Sequence, residues 1–206
     1  MPRTLHTGRL ALALLVAGYL ASYLWNPHRF GLLDHLDLAI HEAGHPLFAP
    51  LGTFMGMAGG TLLQLIVPAA FVVYFWQTGQ RWSAFVVVFW LAQSLFNVSR
   101  YAADARAQLL PLVGGEYVLH DWNWMLGRLG LLERDQQVAA AIRASGGALY
   151  LVALAGSVVG ALDPARLDPR PDEQPALRPP PIEADARPTA DTRRPVVTAA
   201  RWREGE

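Results

Sequence analysis

The stretch His41-Glu42-Ala43-Gly44-His45 places two imidazoles four residues apart, with a carboxylate directly after the first. On an α-helix, side chains at i and i+4 rise from one face, so both rings can reach a single metal ion. The chain has no cysteine, which excludes thiolate ligands, a thiol nucleophile and disulfides, and leaves imidazole and carboxylate to hold any metal. Zn2+ suits that donor set. Zinc held this way makes water acidic enough to ionise near neutral pH, and Glu42 stands where it can act as general base and pass the proton to a leaving amine. The reaction such a pattern serves is hydrolysis of a peptide bond. Two histidines leave a catalytic zinc one protein ligand short. Asp104 is the expected third ligand, with Asp121 and His120 as alternatives. The competing readings are an ion pair between Asp104 and Arg100, and a helix-capping role for His120 and Asp121.

Asp34, Asp37, His41 and His45 recur at steps of three, four and four, so they share one helical stripe, opposite Leu32, Leu33, Leu36, Ala39 and Ile40. Ionisable groups in an apolar segment are costly and face a bundle interior or a watery cavity where they find partners. Asp37, one turn before His41, is expected to accept a hydrogen bond from that histidine's other ring nitrogen and fix its tautomer, with Asp34 behind it. Pro46 removes a hydrogen bond to the carbonyl of Glu42, so the helix should kink or end there. Gln64 is expected to be an interhelical hydrogen-bond partner, and Asn97 either another or a contact to the substrate backbone. The pair Gly59-Gly60 is expected to open the third apolar segment with a turn.

The elements that carry these residues are apolar in long runs. Hydrophobic residues make up 52% of the 206-residue chain, a pattern that points to lipid as solvent. Windows of membrane length fall near residues 10–26, 30–50, 60–77, 82–98 and 146–162, predicting an all-α polytopic transmembrane bundle of about five spans over residues 1–162. The third and fourth, joined by Gln77 to Arg81, read as an antiparallel hairpin. Residues 99–145 are mixed, with an amphipathic stretch from Met125 to Arg143, and read as an interfacial or re-entrant element. Nine of the chain's fifteen prolines lie beyond Asp163, so residues 163–206 are expected to form a disordered tail. Net charge is zero, all seventeen basic residues are arginine, and no basic run is interleaved with aromatics in the apolar body, so nucleic acid is not an expected partner. Membrane lipid and a membrane-associated polypeptide substrate are. Arg3 and Arg9 precede an apolar run to Trp25 that reads as a first span, with a signal peptide cleaved near Ala21 as the alternative. The arginine distribution favours a cytoplasmic N-terminus, in what is expected to be a bacterial inner membrane.

Together these residues resemble the site-2 protease class of intramembrane zinc metallopeptidases, in which a His-Glu-x-x-His helix pairs with an aspartate near a later span. The resemblance covers roughly residues 30–110. It implies that His41 and His45 hold zinc, that Glu42 is the catalytic base, and that Asn97 and Asp104 take the places of the family's asparagine and aspartate. The chain departs from the family pattern where Arg100 and Ala105 stand in place of a proline and a glycine. An alternative of another class is a non-proteolytic membrane carrier of metal or protons, or a scaffold with a degenerate site. Such a protein needs ligands but no water-activating base, so Glu42 separates the two.

Overall fold

A computed structural model describes residues 5–26, 29–115 and 118–167. Among these the chain is helical and has no strand. The helices are α1 (Thr7–Trp25), α2 (Leu32–Phe48), α3 (Thr53–Gln77), α4 (Arg81–Ala103), α5 (Asp121–Arg128), α6 (Asp135–Leu162) and α7 (Pro164–Leu167). Each expected apolar segment is therefore a helix. Three of them are long and apolar enough to cross a membrane: α3, α4, and α6 with the turn that precedes it. This marks a membrane protein. Leu15, Ile66, Phe71, Val73, Leu151 and Val152 point outward from the bundle, where lipid can cover them.

α4 lies at the centre, packed on α6, α3 and α1, and α2 lies chiefly against α3. Leu20, Tyr23, Phe89, Phe96 and Ala153 form the buried centre where α1, α4 and α6 meet. The predicted hairpin is present. It turns through Thr78 and Gly79, whose φ of 76° suits glycine, while the Thr78 hydroxyl donates to the Tyr74 carbonyl at the end of α3.

α2 begins at Gly31, whose backbone N–H donates to the Asp34 carboxylate at 2.6 Å, satisfying one of the donors left open at a helix start. The helix passes through Pro46 and closes two residues later in a single 3₁₀ turn, Ala49–Leu51. Because Pro46 falls in the last turn, the hydrogen bond it removes costs little.

Gly59 and Gly60 lie buried inside α3 and do not open a span, because α3 already starts at Thr53. Their role is to let α2 approach. A Cβ on Gly44 would stand 2.1 Å from the Gly59 carbonyl oxygen, and one on Gly59 2.5 Å from the Gly44 oxygen. Backbone meets backbone at this crossing, as it does where small residues line a helix interface in a membrane. The mixed region also resolves differently from expectation. α4 runs on to Ala103, α6 starts at Asp135, and the amphipathic stretch is cut at Gly130, where φ is 67°. The expected tail begins with the short helix α7, and its residues from 168 on lie outside the described residues.

Candidate metal centre

His41 and His45 stand one turn apart on α2, and the first residue of α5, Asp121, folds back to face them. Its Oδ2 lies 2.9 Å from Nε2 of His41 and 3.4 Å from Nε2 of His45. One ligand atom from each of the three side chains lies within 4.8 Å of the others. Two metal bonds of zinc length meeting at a tetrahedral angle hold their donor atoms roughly 3.3 Å apart, so changes of about 1.5 Å or less in these separations convert this cluster into a coordination set. The other ring nitrogens favour that conversion. Nδ1 of His45 lies 2.8 Å from the Gly56 carbonyl, which can only accept, so Nδ1 carries a proton and Nε2 is the nitrogen turned to Asp121. Nδ1 of His41 lies 3.3 Å from Oε1 of Gln64. Both rings thus offer Nε2 toward one carboxylate oxygen while their far nitrogens are anchored, the arrangement that metal-ligating histidines adopt.

The third position differs from the expectation. Asp104 does not join the histidines: it caps α4, and its two oxygens accept the backbone N–H groups of Leu109 (2.9 Å) and Leu110 (3.0 Å). Its Oδ2 also lies 3.4 Å from Nε2 of His120. Asp104 folds the loop that delivers Asp121. His120 is buried, and its Nδ1 accepts the Asn123 N–H at 3.2 Å as the cap of α5, so the capping reading holds for it and it stands outside the cluster. The ring of Tyr101 stacks on His120 with centroids 4.2 Å apart, and its hydroxyl accepts the Asp121 N–H at 3.3 Å. The amide of Asn123 donates to the Ala105 carbonyl at 2.8 Å and closes the loop. Burial works to raise the Asp121 carboxyl, but hydrogen bonds from His41 and His45 and their charge outweigh it and hold the carboxyl below its usual range. An anionic carboxylate is what a cation requires. Burial pushes the His120 imidazole down despite Asp104 and Asp121 nearby, which keeps it neutral.

Asp37 and Asp34 serve other partners than expected. Asp37 does not reach His41, because α4 offers it closer donors: Nε1 of Trp90 at 2.8 Å and Oγ of Ser94 at 3.2 Å. Asp34 accepts from Gln93 (2.9 Å), Asn97 (2.8 Å), the Tyr23 hydroxyl and the Gly31 N–H. Asn97, expected at a substrate, has both ends of its amide engaged, since Oδ1 accepts from Nε2 of Gln64 at 3.0 Å. Gln64 is the interhelical partner predicted for it, and in addition it touches a histidine of the cluster. Sequence reasoning missed that link, although Gln64 and Asn97 were visible as the polar residues of two apolar segments.

Glu42 lies half-buried between two spaces. One is a cavity of about 430 Å³ lined by Phe30, Leu38, His41 and Asn97, and the other an open groove lined by His45, Met57, Leu119 and Asp121. Glu42, Tyr101, Leu112 and Val113 line both. Gly60 forms a tight wall behind His41, where a Cβ in its place would stand only 2.5 Å from Nε2.

The chain matches no family model, no curated protein and no solved structure. The fold and the cluster define a class on their own: an all-helical membrane protein with a possible metal-binding triad of His41, His45 and Asp121.

Proposed function

We propose that this chain is an integral-membrane zinc peptidase of the site-2 protease type, with Asp121 in the third ligand position. The observation that carries the reading is the paired anchoring of His41 and His45, whose Nε2 atoms converge on Asp121 next to Glu42. Zinc bound there would supply Lewis acidity toward water and a peptide carbonyl. Glu42 accepts a proton from water on its carboxylate and delivers it to the nitrogen of the leaving amine. The cavity and the groove that meet at Glu42 receive an extended polypeptide on either side of the scissile bond, and their apolar walls limit the water that reaches it. The substrate is a membrane-associated polypeptide, and the helices α1, α2, α3, α4 and α6 form five spans with the N-terminus in the cytoplasm. A carrier of metal or protons would need further free ligands in series with the triad. Asp34 and Asp37 do not provide them, since both are occupied by donors from α4.

Metal analysis of the purified protein in detergent tests the proposal. Wild type and Asp104→Asn should carry one zinc per chain, and His41→Ala and Asp121→Ala should carry none. Folded wild type that takes up no stoichiometric zinc refutes it.

A further inference from the structure

We propose that Arg100 holds a carboxylate of the polypeptide that occupies the cavity beside Glu42, about three residues along the chain from that glutamate. That the chain is cut at Glu42 rests on the peptidase reading above; the carboxylate site does not.

The cavity of about 430 Å³ carries opposite charges at its two ends. Glu42 and His41 line one end. Arg100 lines the other, with its guanidinium carbon 5.7 Å from the centroid of the Phe30 ring and its Nη1 donating to the Arg29 carbonyl at 3.4 Å. Phe30 precedes α2, whereas Glu42 lies well inside that helix. A guanidinium has five N–H donors, and Arg100 spends one on the protein, over a long contact. Its Nε is buried with no hydrogen-bond partner. A buried donor left open costs stability, and a ligand oxygen would satisfy it.

The protein's own carboxylates do not. The ion pair with Asp104 that the spacing allows is not formed, because both oxygens of Asp104 accept the backbone N–H groups of Leu109 and Leu110. Asp34, the carboxylate nearest to Phe30 in sequence, is filled by Gln93, Asn97, Tyr23 and Gly31. Among the described residues no carboxylate pairs with Arg100. The neighbouring Arg29 lies over the rings of Tyr19 and Tyr23 and adds no negative charge.

Between the two ends the walls are apolar, built by Leu38 and by Leu110, Leu112 and Val113 of the loop after α4. A fitting ligand has an apolar middle and an acid at one end only, since the Glu42 carboxylate repels an acid at the other. Its length follows from α2. His35, Leu38 and Glu42 line the cavity at steps of three and four, and the ring of His35 meets Phe30 at a centroid distance of 4.8 Å. Seven residues of helix put about 10 Å between His35 and Glu42. An extended chain advances about 3.3 Å per residue, so a carboxylate at Arg100 belongs to about the third residue from Glu42. A free C-terminus and an Asp or Glu side chain both match the guanidinium fork. A lipid phosphate would also suit Arg100, but it leaves the Glu42 end without the polar groups that a peptide backbone supplies.

Binding to full-length Glu42→Gln protein in a neutral detergent tests the proposal without cleavage. The probes are three alanine–leucine hexapeptides with a fluorophore at the N-terminus: one with a free C-terminal carboxylate, its C-terminal amide, and an amide whose last residue is Glu. By fluorescence anisotropy, at least one of the two acids should bind about 10- to 100-fold more tightly than the plain amide. Whichever acid gains identifies the source of the carboxylate. Adding Arg100→Gln should erase the difference and leave amide binding unchanged, which also controls for uptake of the peptides by micelles. Arg100→Lys keeps the charge without the fork, should retain part of the preference, and carries the test if Arg100→Gln does not fold. Equal affinity for acids and amide, or a preference that survives Arg100→Gln, overturns the proposal. So does equal peptide binding alongside Arg100-dependent binding of dioctanoyl phosphatidylglycerol, which would assign the guanidinium to a lipid headgroup. Acid-selective, Arg100-dependent binding in a protein whose wild type takes up no zinc would keep this site and remove the peptidase reading.

Discussion

Replacing Gly60 by alanine should damage the metal centre far more than the fold. The added Cβ would stand 2.5 Å from Nε2 of His41 and 2.7 Å from its two neighbouring ring carbons, where ordinary contact begins near 3.4 Å. The ring must therefore retreat by about 0.9 Å, or α2 and α3 must part. Overpacking of this kind costs about 1–3 kcal/mol, and alanine returns about 1 kcal/mol as the better helix former, so the net loss of stability should be about 0–2 kcal/mol. The displaced atom is the proposed metal donor itself, and a shift of 0.9 Å is nearly half of a zinc–nitrogen bond of about 2.0–2.1 Å. Zinc affinity should drop about 100-fold or more, at the upper end of what loss of a ligand's support costs. Competition of the purified protein with a zinc chelator reads the affinity, and thermal unfolding of the metal-free protein in detergent reads the stability. Gly147→Ala, at a helical position with nothing near the new Cβ, is the control: it should gain about 1 kcal/mol and bind zinc unchanged. Wild-type zinc affinity in Gly60→Ala would refute the reasoning, because it would mean that the ring does not lie where the coordination set needs it.

Asp121→Asn should abolish stoichiometric zinc, whereas Asp104→Asn should keep it and lose about 1–2 kcal/mol of stability, because an amide turns NH2 toward one of the two backbone N–H groups that Asp104 now accepts. Glu42→Gln should retain zinc and reduce cleavage of a membrane-reconstituted peptide substrate by about 100- to 10,000-fold; retained cleavage would remove Glu42 as the base. Removing the metal with a chelator should lower the unfolding temperature of wild type, by an amount equivalent to about 2.7 kcal/mol relative to protein with free zinc at 100 times the dissociation constant, and should leave His41→Ala unmoved.

The motif on α2 and its membrane setting were legible because both depend on local spacing: His41 and His45 share a face whatever else the chain does, and apolar runs of sufficient length are helices in lipid. The third ligand position was not. Asp104, His120 and Asp121 all lie downstream of the fourth apolar segment, and which one turns inward depends on a loop whose path is set by contacts no spacing rule encodes. Asp104 is taken by two backbone N–H groups, His120 by the start of α5, and only Asp121 is left facing the histidines. Asp37 misled for a related reason. Its position one turn before His41 is right for a hydrogen bond along the helix, but Trp90 and Ser94 of α4 compete for the same carboxylate and win it. Gly59 and Gly60 carried a signal open to two readings, since a glycine pair serves a turn and a close helix crossing equally well.

The stripe on α2 therefore divides its work. Its N-terminal half, Asp34 and Asp37, is held by side chains of α4, and its C-terminal half, His41 and His45, by Gln64 and the Gly56 carbonyl of α3 and by Asp121. The four ionisable residues of this stripe would each be expensive if left without partners, and each is instead met by a neighbour of matching polarity. The close crossing at Gly44 and Gly59 makes this possible, because it brings the ring of His41 within reach of a glutamine on α3 while Asp34 still reaches Asn97 on α4. A bulkier crossing would lengthen the 3.3 Å contact between Gln64 and His41 first. The small residues between the two histidines are thus as much a condition of the proposed metal centre as the histidines themselves, and a search for related sites should require a glycine at the position corresponding to Gly44 along with the two imidazoles and the carboxylate.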